Sequence, residues 1–269
     1  MAKEDYTQIN SEFFELLKKT IKLDVFDANH QLCSENKNIQ GYYDLKKFAK
    51  IRYVSCMGNY IRILAKGILL GLHRKRAKPL QEGGIALVSN SGNNTVALEP
   101  IKSLYPNLAY FIGPSPLATY GPSIYAAAWV SLFFFPIYLW KCLRASAYEK
   151  RSLSYALDQV LLSYGYYYLS CFWLKKYKPR LVVFANDHSF HPRTFRAASL
   201  DVNVKTLYIQ HASVTANFPP LDFDYACLDG KDSLEQYRQA GSIQSTVFLI
   251  GMAKSSDLKG FQNRSRQVN

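Results

Sequence analysis

From residue 85 onward, short apolar runs alternate with polar turns and with helical patterns. Six of these runs are rich in aliphatic and β-branched residues, and they cover 85–90, 108–112, 181–185, 204–209, 225–228 and 246–250. Continuous apolar strands that alternate with helices indicate a parallel sheet covered by helices on both faces. The pattern therefore predicts an α/β, Rossmann-like domain over residues 81–251.

The predicted helices fall into two groups. Short helices are expected over 96–104, 192–200 and 233–239, whereas a long helical insertion over 121–178 separates the second strand from the third. Residues 121–140 contain no charged residue, and a segment of that length can cross a membrane. Because the strands on either side belong to one sheet, we expect a buried or interfacial helix here rather than a span.

The remaining parts of the chain differ in charge. The net charge is +13, and residues 42–79 contain ten basic residues and one acidic residue, whereas residues 1–41 contain five lysines and seven acidic residues. We therefore predict a helical, basic N-terminal region over 1–80. Residues 252–269 are polar, as expected of a tail or a severed linker.

The basic segment interleaves aliphatic residues at helical spacing, which favours an anionic membrane surface as its partner. A solvated helix face that packs on its own domain is the alternative. Nucleic acid is disfavoured, because no nucleic-acid motif is present and the interleaved residues are not stacking aromatics. Five scattered cysteines without a CxxC pair, and the lack of a signal-peptide pattern, favour a cytoplasmic protein that is peripheral on the inner membrane face.

Polar residues directly follow four of the predicted strands. These strand ends have the sequences SNSGNN, ANDH, QHA and LDG. Because the carboxyl ends of parallel strands meet at one edge of the sheet, where ligands bind, we expect these groups to line one site.

His211 is the candidate catalytic residue, since an imidazole at this edge can accept a hydroxyl proton near neutral pH. A structural histidine bonded to a loop carbonyl is the alternative. Asp187 and His188 end the neighbouring strand and are candidates to orient this imidazole or to contact the same substrate.

Two further groups are weaker candidates. Ser91 and Asn93 precede or begin a predicted helix, where backbone N–H groups can bind a phosphate or sugar hydroxyls, although an ordinary helix cap is the favoured interpretation. His188 and His191, together with Asp187 and His211, have residue types that bind metal, which leaves a metal-dependent hydrolase as a less favoured alternative.

The stretch VVFANDHSFHPRTFRAASLDVNVKTLYIQHASVTANFPPLDFDYACLDG, followed by Tyr237 and VFLIGMAK, resembles the bacterial surface-polysaccharide transferases of the GT-B type. The most similar group is the CDP-glycerol glycerophosphotransferase and capsule polysaccharide transferase superfamily. The resemblance covers residues 179–254, and 85–115 in general pattern only. Ala212 stands where the family usually has glycine.

This resemblance implies one half of a GT-B fold, the acceptor-side domain. It implies that His211 is the base, that Asn186, Asp187 and Gln210 line the acceptor cleft, and that Gly251 lies where a donor-binding domain begins. The expected substrates are a nucleotide-sugar or CDP-glycerol donor and a polysaccharide or lipid-linked acceptor, with no metal and no further cofactor. The donor domain would be supplied by further chain or by a partner chain, and a non-catalytic acceptor-binding module is the alternative.

Overall fold

The computed structural model describes residues 3–29, 45–70, 82–113, 120–216 and 218–251. Over these residues the chain has an α/β fold, in which a six-stranded parallel sheet is flanked by helices in a Rossmann-like arrangement. This confirms the fold class predicted from the alternation of strands and helices. The predicted tail, 252–269, lies outside the described residues, and the predicted domain boundaries stay predictions.

The elements follow one another in the predicted order. The N-terminal helices are α1 (Lys3–Lys22) and α2 (Leu45–Leu70), with a short 3-10 turn at Asp27–Asn29 between them. The first part of the sheet comprises β1 (Ile85–Val88), α3 (Gly92–Leu104) and β2 (Ala109–Ile112). The insertion forms α4 (Ile124–Phe133), α5 (Phe135–Arg144) and α6 (Ala147–Tyr177).

The second part of the sheet resumes the alternation. It comprises β3 (Leu181–Phe184), α7 (Phe190–Asp201), β4 (Thr206–Ile209), β5 (Tyr225–Leu228), α8 (Lys231–Ala240) and β6 (Thr246–Leu249). Each strand lies within two residues of its predicted bounds, because an apolar run bounded by polar turns specifies a buried strand closely.

The strands are ordered β2-β1-β3-β4-β5-β6, and all neighbours are parallel. Ile85 of β1 is paired with Ala109 of β2 on one side and with Leu181 of β3 on the other. Leu87, Leu98 of α3 and Val183 are fully buried in the core of the sheet, which explains why the central strands have no polar alternation.

Contacts among the residues divide the chain into two compact units. The sheet unit contains the six strands with α3 and α8, and the helical unit contains α1, α2, α4, α5, α6 and α7. The helical unit is closely packed: Tyr60 of α2 donates its hydroxyl to the Ala128 carbonyl of α4 at 2.7 Å. Arg193 of α7, whose side chain is buried, pairs with Asp27 in the 3-10 turn.

The uncharged segment 121–140 is divided between α4 and α5, which are bent 75° relative to each other at Phe134. Among the described residues no single helix is long and apolar enough to cross a membrane, and α4 and α5 meet that requirement only when taken together.

At Gly165, α6 packs directly against the backbone of α4. A Cβ atom at Gly165 would lie 2.0 Å from the Ala127 carbonyl oxygen and 2.6 Å from Ser131 Oγ. We expect Gly165→Ala to lower the free energy of unfolding by about 2 kcal/mol, because α4 and α6 must separate to admit the methyl group. Gly58→Ala in α2 is the matched control, since nothing lies within 4 Å of its Cβ position. Urea unfolding measures both variants, and equal stabilities would contradict the prediction.

His191 of α7 is enclosed by aromatic rings. Its ring centroid lies 5.1 Å from that of Tyr166 and 4.4 Å from that of Phe190. Its Nε2 atom is buried and has no hydrogen-bond partner among the described residues. Burial lowers the pKa of His191 to about 4.

This low pKa predicts acid sensitivity. A histidine whose folded-state pKa lies below the unfolded value of about 6.5 stabilises the fold above that pH, and the contribution is lost as the pH falls through the folded-state pKa. We expect the free energy of unfolding to fall, between pH 6.5 and pH 4, by about 3 kcal/mol more in the native chain than in His191→Phe. Urea unfolding of both proteins across this pH range tests the prediction. Parallel pH profiles of the free energy of unfolding would contradict it.

Candidate functional site

The strand order creates a topological switch point between β1 and β3. The chain leaves the carboxyl end of β1 toward β2 on one side, whereas β3 lies on the other side and leads on to β4. In open parallel sheets such a point leaves a crevice at the carboxyl ends, where ligands bind. The loop after β1 contains Ser91, and Asn93 lies on the first turn of α3. The β3 loop contains residues 186–188, and Gln210 and His211 follow β4.

The β1 loop is fixed by its own hydroxyl groups. Ser89 is fully buried, and its Oγ lies 2.6 Å from Thr95 Oγ1. Ser91 is the N-cap of α3, and its Oγ accepts the backbone N–H of Asn94 at 3.3 Å. Gly113, with φ of +121°, lies so close to Ser89 that a Cβ atom would be 2.5 Å from the Ser89 carbonyl oxygen. Only glycine therefore fits where the loops after β1 and β2 meet.

Asn94 connects the three strand ends. Its side chain is buried, and its Nδ2 atom lies 3.2 Å from His211 Nε2 and 3.5 Å from the Ala185 carbonyl oxygen after β3. Its Oδ1 atom accepts a hydrogen bond from Ser91 Oγ at 2.9 Å. The loop after β1, the end of β3 and the loop after β4 thus meet at one amide group.

These contacts favour one tautomer of His211. The Ala185 carbonyl is an acceptor only, so the atom of Asn94 that faces it is the amide nitrogen. The same nitrogen donates its second hydrogen to His211 Nε2, so Nε2 acts as an acceptor. A neutral His211 therefore has its proton on Nδ1.

Asp187 is the buried charged group of the β3 loop. Its Oδ2 atom accepts the hydroxyl of Tyr237 from α8 at 2.5 Å, and its Oδ1 atom lies 3.1 Å from His188 Nδ1. His188 in turn lies against Phe218, with 4.9 Å between ring centroids. Asn186 holds the turn, because its Oδ1 accepts the backbone N–H of His188 at 3.1 Å.

Two buried tyrosines surround the Asp187 carboxylate. Burial, reinforced by the nearby Tyr208 and Asp187, raises the pKa of Tyr237 well above its usual value. Burial and the Asp187 carboxylate likewise raise the pKa of Tyr208. Tyr237 therefore remains a neutral phenol, which donates a hydrogen bond to Asp187.

Gln210 connects the ends of β4 and β5. Its Nε2 atom donates to the Ala212 carbonyl at 3.0 Å and to Ser233 Oγ of α8 at 2.9 Å, and its Oε1 atom accepts the backbone N–H of Asp229 at 3.0 Å. Both amide hydrogens are thus used within the protein. This arrangement makes Gln210 a positioning residue for the strand ends, and its predicted contact with an acceptor stays a prediction.

The structure brings His211, Gln210 and the residues 186–188 to the same edge of the sheet unit. Ser91 and Asn93 lie there as well: Ser91 is used as a helix cap, while Asn93 is exposed on the first turn of α3. His191 belongs to the helical unit. Within the described ranges, no group of three or more His, Cys, Asp or Glu side chains is arranged to hold a metal ion.

Sequence reasoning missed Asn94 and Ser233. The signal for Asn94 is its spacing: with Ser91 as the N-cap, Asn94 occupies the third helical position, whose side chain reaches back to the cap. Asn93, the candidate from the sequence, is solvent-exposed on the first turn of α3. No comparable signal existed for Ser233, because its contact with Gln210 joins two elements that only the folded sheet unit brings together.

Comparison of the chain with protein-family models, with curated proteins and with solved structures finds no match. The geometry of the site is therefore the basis on which its function is argued.

Asn94 allows a direct test of this geometry. We expect long-range ¹H–¹⁵N NMR to show neutral His211 with its proton on Nδ1 in the native chain. Asn94→Ala removes the donor to Nε2, so the tautomer equilibrium should shift toward protonated Nε2. Asn93→Ala is the matched control and should leave the His211 signals unchanged. A native His211 protonated on Nε2, or equal spectra for both variants, would contradict the assignment.

Proposed function

We propose that this chain is the acceptor-side part of a GT-B type transferase that acts on a bacterial surface polysaccharide of the capsule, teichoic-acid or lipopolysaccharide kind. In this proposal it transfers a sugar or a glycerophosphate group from a nucleotide-activated donor to an acceptor hydroxyl. The observation that carries the proposal is the meeting of His211, Asn94 and the Asn186–His188 loop at the switch point of a parallel sheet.

His211 acts as the general base in the proposed reaction. The acceptor O–H bond breaks as its proton passes to an imidazole nitrogen of His211. The acceptor oxygen forms a bond to the anomeric carbon of a sugar donor, or to the phosphorus of CDP-glycerol. The nucleotide phosphate leaves with the electron pair of the broken bond, so the donor supplies its own leaving group and no further cofactor enters the reaction.

Asn94 restricts how His211 can act. Because Nε2 already accepts a hydrogen bond from Asn94 and Nδ1 is buried, an acceptor hydroxyl must displace the Asn94 amide to reach the imidazole. Binding of the acceptor would then be coupled to release of the Asn94 amide from His211, so Asn94 would control access to the base. The Asp187 carboxylate and the Asn186 amide are the remaining polar groups proposed to hold acceptor hydroxyls.

The same contact favours a second candidate, a non-catalytic acceptor-binding module. A histidine held by Asn94 at Nε2 can exchange that hydrogen bond for one from a ligand hydroxyl without ever taking up a proton. The two candidates use the same residues and the same acceptor class, and they differ only in turnover.

Donor binding is assigned in this proposal to a second domain, as in the GT-B type, supplied by further chain or by a partner chain. The proposed location is the inner face of the membrane, where lipid-linked acceptors occur. Support for it comes from the basic segment 42–79, part of which forms α2.

Turnover tests the proposal. The chain, combined with the further chain or partner chain that supplies the donor domain, is incubated with CDP-glycerol, CMP-sialic acid or UDP-sugars and a polysaccharide acceptor, and extension of the acceptor is measured. We expect donor-dependent extension that falls by roughly 100-fold or more in His211→Ala, because general-base catalysis contributes at least that much. Glu99→Ala, at an exposed position of α3, is the control and should retain activity.

The outcomes separate the candidates. Acceptor binding without extension, with binding weakened by Asn186→Ala, would replace the transferase by the binding module. Extension that is unchanged in His211→Ala would exclude His211 as the base. If the chain shows neither acceptor binding nor extension of the acceptor, both candidates are overturned.

A further inference from the structure

The helical unit exposes an apolar surface at the bend between α4 and α5. We define this elbow surface by the exposed side chains Leu132, Phe133, Phe135, Leu139, Trp140 and Leu143. We propose that the elbow surface inserts into the interfacial region of an anionic lipid bilayer. This inference rests on the membrane association proposed above, and it adds an apolar surface to the basic segment 42–79.

The exposure of these side chains is large and follows helical spacing. Phe133 is 84% exposed and Leu143 is 79% exposed, although both are among the most apolar residue types. Leu139, Trp140 and Leu143 lie on one face of α5, since residues three and four apart are neighbours on a helix. A continuous apolar face of this kind marks an interaction surface rather than an ordinary scatter of exposed side chains.

Buried contacts with α6 fix the bend between α4 and α5. Phe134, at the bend, is buried, and its ring stacks on Tyr164 of α6 with 5.6 Å between centroids. On the preceding turn, Ser131 donates its hydroxyl to the Ala127 carbonyl at 2.8 Å and accepts the Gly165 N–H at 3.0 Å. The elbow therefore presents its apolar side chains in a fixed arrangement, and insertion requires no prior unfolding.

Taken together, the two helices of the elbow and α2, which contacts α4, are basic in sequence, and the next acidic residue along the chain is Glu149 at the start of α6. Helices α2, α4 and α5 contain eight basic residues in sequence and no acidic residue. Tyr60 attaches α2 to α4 through its bond to the Ala128 carbonyl. Arg144 lies over the Trp140 ring at 4.5 Å from its centroid, a pairing of cation and aromatic ring that suits the headgroup level of a bilayer.

The positive charge of these helices distinguishes between two kinds of partner for the elbow surface. A second copy of the chain would bring the same positive helices to the surface, so the charges would repel. An anionic bilayer satisfies both properties at once, because its headgroups attract the lysines and arginines and its acyl chains accept Phe133 and Leu143.

Vesicle binding tests the proposal. The chain is sedimented with vesicles of phosphatidylcholine alone, and with vesicles of equal parts phosphatidylcholine and phosphatidylglycerol. We expect binding to the anionic vesicles only, weakened at least about tenfold in the double variant Phe133→Ser/Leu143→Ser. Val96→Ser/Leu104→Ser in α3 is the matched control, since these side chains are 63% and 61% exposed, and it should bind like the native chain.

Insertion depth gives a second measurement. In a chain with Trp129→Phe and Trp173→Phe, Trp140 is the remaining tryptophan. Lipids brominated on the acyl chain should quench its fluorescence. Unquenched Trp140, or unchanged binding of the elbow variant, would overturn the proposal. So would a dimer by light scattering that the elbow variant abolishes. Extension of a soluble acceptor does not depend on the elbow, so that assay distinguishes failure of this inference from failure of the proposed transferase.

Discussion

The amide of Asn94 is the interaction on which the candidate site depends. It lies at the switch point, where β1 and β3 are neighbours and the chain departs from them in different directions. One buried side chain there satisfies the Ala185 carbonyl, the Ser91 hydroxyl and His211 Nε2 at the same time. Because a buried amide left without partners costs about 1–3 kcal/mol, the three loops and the His211 tautomer are specified together.

The alternation of apolar runs and polar turns was sufficient to predict the strands, because a strand buried on both faces must be apolar throughout. It also predicted that His211 and Asp187 would lie at one edge. The partners of these residues were not predictable in the same way. Tyr237 reaches Asp187, and Ser233 reaches Gln210, across elements that are distant in sequence, so no local pattern records either contact. Asn94 is the intermediate case, since capping geometry distinguishes it from Asn93 once Ser91 is identified as the cap.

Asp187 and His211 use their hydrogen bonds in different ways. The carboxylate is held by a neutral tyrosine and a histidine, and burial keeps Tyr237 protonated, so this pair favours a fixed geometry over proton exchange. His211 contacts the neutral amide of Asn94 at Nε2, and this contact involves no formal charge on Asn94. The carboxylate of Asp187 and the imidazole of His211 are thus held by different kinds of partner.

The positive charge of the chain and the polar strand ends belong to different units. The helices that lack acidic residues all lie in the helical unit, whereas the strand-end loops of the sheet unit contain neutral amides, two histidines and the carboxylates of Asp187 and Asp229. Attraction to an anionic surface depends on summed charge and weakens with salt, while recognition at the crevice depends on individual hydrogen bonds and is far less salt-dependent. The two properties can therefore vary independently within one chain. If vesicle binding is lost at high salt while acceptor binding persists, the first depends on the summed charge of the helical unit and the second on hydrogen bonds in the sheet unit.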